Sequence, residues 1–250
     1  MYGLVTIHHE TIVRHDFPSR RNPWVRIPLK FDPVPFWVSF QLGLWVTGLL
    51  FLICFPLAWV FSQARGKWVP WVESTASLPL VLSPTVLGFY ILMLLSPRGA
   101  FGQFFLSVFH VRLAFSFPGI VFAGCVSSLP FMLTALRTGI LAVPQHLLEA
   151  SYTLGKGRME TLLRVVIPNM RTGILAGIIN TFAHTLGEFG VVLMVGGSIP
   201  GVTKVVSIAV YERVESLDFG SAHLYAGILV VVSYAGVLLL NRLQRQERRR

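Results

Sequence analysis

Long uncharged stretches alternate with short charged segments along this chain. A helix needs about 20 consecutive, mostly apolar residues to cross a bilayer, and the apolar positions here come in blocks of that length. Four uncharged intervals are long enough to span, namely Pro33 to Ala64, Ser74 to Pro97, Leu113 to Leu136 and Phe219 to Asn241. The charged residues between them mark the loops.

A fifth interval, Thr172 to Gly187, is short by itself but continues through Glu188 into Phe189 to Thr203. We interpret it as one helix that carries a carboxylate near its end. The pattern therefore predicts an all-α, polytopic membrane protein of about five transmembrane helices. The membrane domain covers residues 33–242, between a polar N-terminal tail at 1–32 and a basic tail at 243–250. The other four helices are predicted at about 36–62, 77–95, 117–136 and 223–240.

The second predicted helix has an unusual start. It begins Leu78-Pro79-Leu80-Val81-Leu82-Ser83-Pro84-Thr85, and two prolines five residues apart predict a broken or kinked helix. Irregular backbone in a membrane is tolerated where it is buried in protein or lines a watery cavity. Ser83, Pro84 and Thr85 are therefore candidates for the wall of a transport pathway. A plain packing kink explains the prolines equally well.

Composition and charge agree with a membrane protein. Of the 250 residues, 54% are hydrophobic and 13% are charged, whereas about a quarter of the residues of a soluble domain are charged. The net charge of +10 would suggest nucleic acid for a soluble protein, but here the basic residues lie in loops and in the tail. Membrane lipid headgroups, not nucleic acid, are the expected partner. Cys54 and Cys125 fall inside predicted spans, which argues against a disulfide framework or a zinc site.

The distribution of Lys and Arg predicts the orientation. Loops 65–72 and 137–171 together with the C-terminal tail carry 12 basic residues, and the opposite loops carry 4. The richer face is expected in the cytoplasm, with the C-terminus. The five basic residues of the N-terminal tail would then lie outside, against the same rule.

The long loop between the third and fourth predicted spans contains a short amphipathic helix. Leu147, Leu148, Ala150, Ser151 and Leu154 form an apolar stripe between Pro144 and Gly155. A helix of this length is not stable alone and needs a groove, because nucleation is costly. The alternative is a helix that rests on the bilayer surface.

The same loop, residues 144–168, carries a spaced motif. It has Glu149-Ala150-Ser151, three residues, Gly155, nine residues, Val165, one residue, then Ile167 and Pro168. This resembles the EAA loop of bacterial ABC importer permeases, with Ser, Val and Ile in place of the usual Ala, Ile and Leu. The resemblance implies that Glu149, Ala150, Ser151, Leu154, Gly155, Val165, Ile167 and Pro168 couple the chain to a separate ATPase subunit.

A phosphate-binding loop is missing around Lys156-Gly157-Arg158, because the pattern Gly-x4-Gly-Lys-Ser/Thr is absent. ATP and Mg²⁺ are therefore expected on the partner ATPase, with no cofactor bound by this chain. No catalytic constellation is visible in the spans, so we do not expect an enzyme. A passive channel would have no use for a docking loop.

A second resemblance concerns residues 185–203. Thr185-Leu186-Gly187-Glu188-Phe189-Gly190, followed by Gly196-Gly197-Ser198-Ile199-Pro200-Gly201-Val202-Thr203, resembles the molybdate permease family, in which Asn is usual at the position of Ser198. Sulfate permeases share a similar Leu-Gly-Glu core. Together with the proline segment, the resemblance covers about residues 36–242.

The resemblance implies an ABC importer permease of the type I, MetI-like fold in the bacterial inner (plasma) membrane. It further implies a homodimer, two ATPase subunits and a periplasmic molybdate-binding protein. The expected function is ATP-driven molybdate import. Import of sulfate, thiosulfate or tungstate is the alternative.

Glu188 is the only carboxylate in the fourth predicted span. Ionisable residues at membrane depth usually face an interior, a cavity or a partner. A direct role as ligand is unfavourable, because a carboxylate repels a doubly negative oxyanion. We expect a structural role, in which Glu188 bonds backbone amides of its own Gly-rich turn or pairs with a basic residue, and keep gating as the alternative. His184 shares its helix face, but no third ligand suggests a metal.

Overall fold

The chain folds into a bundle of membrane-length helices connected by short ones. The structure is a computed structural model that describes residues 31–63, 66 and 69–247, and this part contains helices and no strand. The first five helices are α1 (Val34–Gln63), α2 (Val69–Val81), α3 (Pro84–Leu95), α4 (Ala100–Phe109) and α5 (Phe117–Leu141). After α6 (Gln145–Thr153) and α7 (Arg158–Thr161) follow a π-helical turn (Leu162–Val166), α8 (Ile167–Asn169), α9 (Arg171–Gly187), α10 (Gly190–Gly196), α11 (Val206–Glu215) and α12 (Phe219–Glu247).

Three of these helices are long and apolar enough to cross a membrane unbroken: α1, α5 and the first 24 residues of α12. Two bent pairs of helices meet the same length and composition criteria when each pair is taken together. The axes of α2 and α3 differ by 112°, and those of Arg158–Asn169 and α9 differ by 71°. Counting each pair as one span gives up to five, in agreement with the predicted number and the all-α fold class.

The core lies where α1, α5 and α9 meet. Leu42 and Val46 of α1, Leu136 of α5, Val166 of the π-helical turn and Met170 are almost fully buried there. The π-helical turn leads directly into α8 and α9, so the end of the long loop is part of the core.

Two glycines allow α5 and α9 to approach closely. A Cβ atom built on Gly173 would lie 2.6 Å from the Cα of Gly139, and one built on Gly139 would lie 2.9 Å from the Cα of Gly173. Small residues at helix crossings in membranes permit such backbone contact. The crossing lies at the base of the loop that joins the two helices.

The second predicted helix is confirmed as broken, but its start was wrong. It begins at Val69 rather than Ser77, and its first arm, α2, contains Glu73. A carboxylate is tolerated there because Glu73 pairs with Arg137 of α5 at 2.7 Å. The break follows Val81 and not Pro79, since Pro84 forces Ser83 into an extended conformation and then starts α3.

The prediction of one helix from Thr172 to Thr203 was wrong. Helix α9 ends at Gly187, Glu188 takes an extended conformation with φ −67° and ψ 123°, and α10 is a separate helix of 7 residues. The hydroxyl of Ser207 donates to the Glu188 carbonyl at 2.7 Å. This contact from a distant residue holds the chain out of the helical conformation.

The predicted tails are only partly within the described residues. The predicted polar tail at 1–32 lies outside them except for Phe31 and Asp32, and Asp32 exchanges two backbone hydrogen bonds with the hydroxyl of Tyr225 on α12. Within the predicted basic tail at 243–250, α12 continues to Glu247. Residues 248–250 lie outside the described part.

Candidate coupling loop and transport pathway

The predicted amphipathic helix is present as α6, between Pro144 and Gly155. The turn that ends it satisfies three amides: Leu154 donates to Ala150, Gly155 to Tyr152 and Lys156 to Ser151. Gly155 has φ +75°, a conformation that costs little for glycine and ends helices. The prediction that Gly155 terminates the helix is confirmed.

Ser151 fastens α6 to the next helical segment. Its hydroxyl lies 2.8 Å from the hydroxyl of Thr161 on α7, and both residues are buried. The alanine usual at this position in the EAA pattern has no such group. Thr161 could not be recognised as the partner beforehand, because nothing in the motif indicates a hydrogen bond between residues ten positions apart.

Several apolar side chains of this loop point outward. We call Tyr152, Leu154, Met159 and Leu163 the docking surface, and Leu154 and Met159 are the most exposed of them, at 77% and 67%. Leu154 therefore does not contribute to the packing of α6 on the core, whereas Leu148 does. A group of exposed apolar side chains is typical of a surface that binds a protein partner or a membrane.

Charged residues surround the docking surface. Glu149 is exposed and accepts a hydrogen bond from Gln145 at 2.9 Å. Lys156 and Arg164 both contact Glu160, at 2.6 and 3.2 Å. This trio fixes the turn between α6 and α7.

The second half of the predicted motif lies in the chain that returns to the membrane. Val165 belongs to the π-helical turn, and Ile167 packs against the core. Pro168 is exposed and its carbonyl accepts a hydrogen bond from Arg171. The structure therefore places Glu149 to Gly155 at the docking side of the loop and Val165 to Pro168 at its junction with α9.

The other candidate residues meet at one cavity, although they lie about a hundred positions apart in the sequence. A cavity of about 540 Å³ is lined by residues that include Pro84, Thr85, His184, Glu188 and Gly190. Ser83 does not line it, but its hydroxyl lies 2.8 Å from that of Thr85. The absence of a side chain on Gly190 matters here, since a Cβ atom would lie 2.8 Å from Pro84 Cβ.

Glu188 has one backbone partner and one side-chain partner at this cavity. Its carboxylate accepts a hydrogen bond from the amide of Val191 at 3.3 Å, and its other oxygen lies 3.5 Å from His184 Nε2. The residue is 8% exposed. The structural interpretation of Glu188 requires a hydrogen bond to a backbone amide of its own turn, and the amide of Val191 provides it.

Sequence reasoning missed a polar network behind His184. The hydroxyl of Ser128 on α5 lies 3.0 Å from His184 Nδ1 and 3.1 Å from the hydroxyl of Thr185. The ring of Phe131 packs on His184, with 4.2 Å between centroids. Ser128 and its neighbour Ser127 are buried in the apolar first half of α5, and these polar positions were the available signal. Among the described residues, no cluster of His, Cys, Asp and Glu could hold a metal.

We expect Glu188→Gln and Glu188→Ala to behave differently. Glutamine keeps an oxygen that accepts from the Val191 amide, so the variant should transport within about twofold of the wild type. Alanine leaves that buried amide unpaired, which costs about 1–3 kcal/mol. Thermal unfolding of the purified variants and uptake in cells are the measurements. A Gln variant that folds normally but does not transport would contradict a structural role and favour gating.

The turn after α10 is built by its glycines and by Thr203. Gly197 and Gly201 have positive φ, and the hydroxyl of Thr203 donates to Gly196 and accepts from the amide of Ile199. Ser198 donates to Glu212 of α11, which also pairs with Lys204. Burial raises the pKa of Glu212, but the bonds from Lys204 and Ser198 outweigh it, so the pKa is lowered overall.

The fold agrees with solved ABC importers. A bacterial ABC transporter that imports the acidic polysaccharide alginate superposes with a TM-score of 0.68 at 18% identity, over 90% of this chain and 85% of that one. The helical bundle with its protruding loop is thus a type I ABC importer permease fold, as the resemblance implied.

Residues 45–249 match the family described as binding-protein-dependent transport system inner membrane component, and the chain belongs to this family. It is 38% identical over 197 residues to the molybdenum transport system permease protein ModB of Azotobacter vinelandii, covering 79% of this chain and 87% of the relative. It is 28% identical over 194 residues to the sulfate transport system permease protein CysT of Salmonella typhimurium, covering 78% and 70%. The predicted family is confirmed, and the chain is a multi-pass transport component of the inner membrane and not an enzyme.

Proposed function

We propose that this chain is the permease subunit of an ATP-driven importer of molybdate. Two copies form a homodimer around a central path, two ATPase subunits bind on the cytoplasmic side, and a periplasmic molybdate-binding protein delivers the anion. ATP and Mg²⁺ bind to the ATPase subunits. The similarity to the Azotobacter vinelandii permease, which extends over most of both chains, is the observation that carries the choice of molybdate.

The docking surface supports the position of the ATPase. Helix α6 presents exposed apolar side chains at the end of α5, on the side of the chain where the basic residues are concentrated. Basic loops face the cytoplasm in inner-membrane proteins, and α12 ends on the same side with the basic tail. The C-terminus is therefore cytoplasmic.

The two candidate sites are linked through α9. The loop enters the core at the π-helical turn, continues as α9, and reaches the cavity at His184 and Glu188. In the proposed cycle, ATP binding draws the two docking helices of the dimer together. Helices α5 and α9 move with them, because they are in contact at Gly139 and Gly173. The cavity at the far end of α9 then changes its access from one side to the other.

The role of the loop residues follows from this geometry. Leu154 lies in the contact with the ATPase, and Glu149 lies at its rim. Ser151 and Gly155 shape α6, while Val165, Ile167 and Pro168 connect the loop to α9. Pro84, Thr85 and Glu188 form one wall of the path, with Glu188 in a structural role. Ser83 supports this wall through its contact with Thr85.

Molybdenum accumulation tests the substrate. Cells lacking this chain, and cells in which it is restored, are grown in trace molybdate with and without excess sulfate, and their molybdenum content is measured by elemental analysis. We expect accumulation only in the restored cells, and no effect of sulfate. If sulfate abolishes the accumulation, or if loss of the chain leaves the molybdenum content unchanged, the sulfate branch of the family is the better assignment.

A further inference from the structure

An apolar groove runs along the outside of the bundle, away from both sites described above. It is a cavity of about 670 Å³ between α1, α4 and α5, and its lining includes Trp45, Ile53, Phe101, Phe105, Phe122 and Leu129. Nearly all of the lining is carbon. Trp45 is 58% exposed and Ile53 is 50% exposed. The groove is therefore open on the outer surface of the helices.

The length of the groove matches one leaflet of a bilayer. On α5 it extends from Phe117, the first residue of the helix, to Leu129. At 1.5 Å per residue this is about 18 Å, and half of a hydrocarbon core is about 15 Å. The groove therefore begins at one membrane surface and ends near the midplane.

A basic segment lies at the open end of the groove. Arg112 precedes Leu113, which lines the groove, and Arg112 itself lines a second cavity of about 610 Å³ together with Ser96. The interval Ser96 to Pro118 contains Arg98, His110 and Arg112 and no carboxylate. Helix α4, which lies within this interval, has 10 residues, too few to span a bilayer.

We propose that the groove and the second cavity together bind one anionic phospholipid of the outer leaflet. An acyl chain fills the groove between α1, α4 and α5, and the phosphate lies in the second cavity beside Arg112, with Arg98 nearby. The charge of this segment complements an anionic headgroup, and the apolar lining fits only hydrocarbon. This role is independent of the transported anion.

A second copy of the chain fits the groove less well. A partner protomer that covered the groove would have to place carboxylates opposite Arg98 and Arg112, because the segment Ser96 to Pro118 contains none. A phospholipid with an anionic headgroup supplies both the hydrocarbon and the negative charge in one molecule.

Native mass spectrometry of the complete transporter in detergent tests the proposal. Phosphatidylglycerol and phosphatidylcholine with identical acyl chains are added as the probes, and the lipids retained by the complex are counted. We expect phosphatidylglycerol to be retained in preference, with each of Arg98→Gln and Arg112→Gln lowering that preference about fivefold. Arg242→Gln, on the other side of the membrane, is the matched control and should not change it.

The groove is tested by Val126→Trp, which places a large side chain among its lining residues. This variant should lose retention of both lipids, whereas Val230→Trp on the exposed flank of α12 should not. If Val126→Trp does not fold, quenching of Trp45 fluorescence by phospholipid with brominated acyl chains, measured against Trp45→Phe, replaces it.

Equal retention of the two lipids, or a preference that both arginine variants leave unchanged, overturns the proposal. So does a Val126→Trp variant that loses its dimer but keeps its lipid, since a second copy then occupies the groove.

Discussion

Replacing Leu154 with aspartate is expected to abolish transport while leaving the permease folded. Leu154 is 77% exposed at the end of α6, so the protein itself does not need the side chain for packing. In the proposed complex it is buried against the ATPase subunit, and a carboxylate there would be desolvated without a partner. Central apolar contacts in interfaces are commonly worth 2 kcal/mol or more, which corresponds to a loss of about 30-fold or more in affinity.

The measurement is co-purification of the ATPase subunit with tagged permease, together with uptake in cells. Leu217→Asp is the matched control, because Leu217 is also highly exposed, at 69%. It lies on the opposite side of the chain and has a positive φ of 59°, which aspartate accommodates better than most residues. Retention of the ATPase by Leu154→Asp, with normal uptake, would exclude Leu154 from the coupling contact.

Replacing Gly173 with valine is expected to prevent the membrane domain from folding correctly. The added Cβ atom would lie 2.6 Å from Gly139 Cα and 3.2 Å from the carbonyl oxygen of Ala135. Both are backbone atoms of α5, so no side-chain rotation relieves the overlap and the two helices must separate. We estimate a cost of about 3 kcal/mol or more, the upper range for overpacking.

Size-exclusion chromatography of the detergent extract and thermal unfolding report this effect. Gly227→Val is the matched control, because no atom lies within 4 Å of a Cβ atom built on Gly227 in α12. It should be monodisperse and as stable as the wild type. If Gly173→Val elutes and unfolds like the control, α5 and α9 are not in close contact in the membrane.

The features that local chemistry determines could be predicted from the sequence. The lengths of the uncharged intervals were enough to locate α1, α5 and α12, because charged residues are rare in helices that cross lipid unbroken. Helix α6 was bounded correctly by Pro144 and Gly155, since a proline favours a helix start and a glycine accommodates the turn at its end. Pro84 was a pathway candidate because of its irregular backbone and Glu188 because of its charge at membrane depth, and both line one cavity.

Features that depend on distant partners could not be predicted. The break at Glu188 is held by Ser207, and nothing near Glu188 in the sequence indicates that contact. Helix α2 can begin at Val69 because Arg137 neutralises Glu73 within it. A prediction that takes every charged residue as the end of a span places Glu73 in a loop instead. Ser151 likewise finds its partner only when α7 folds back on α6.

The sparse burial of α12 has a consequence for how the protein is made. Only 11% of its apolar stretch is buried within the chain, against 61% for α5, and the main core is built by α1, α5 and the following segments as far as α11. Membrane proteins are inserted as they are synthesised, beginning at the N-terminus. We therefore expect the main core to form before the last 30 or so residues leave the ribosome, and α12 then to pack on it through the cluster of Val206, Ala209 and Tyr225.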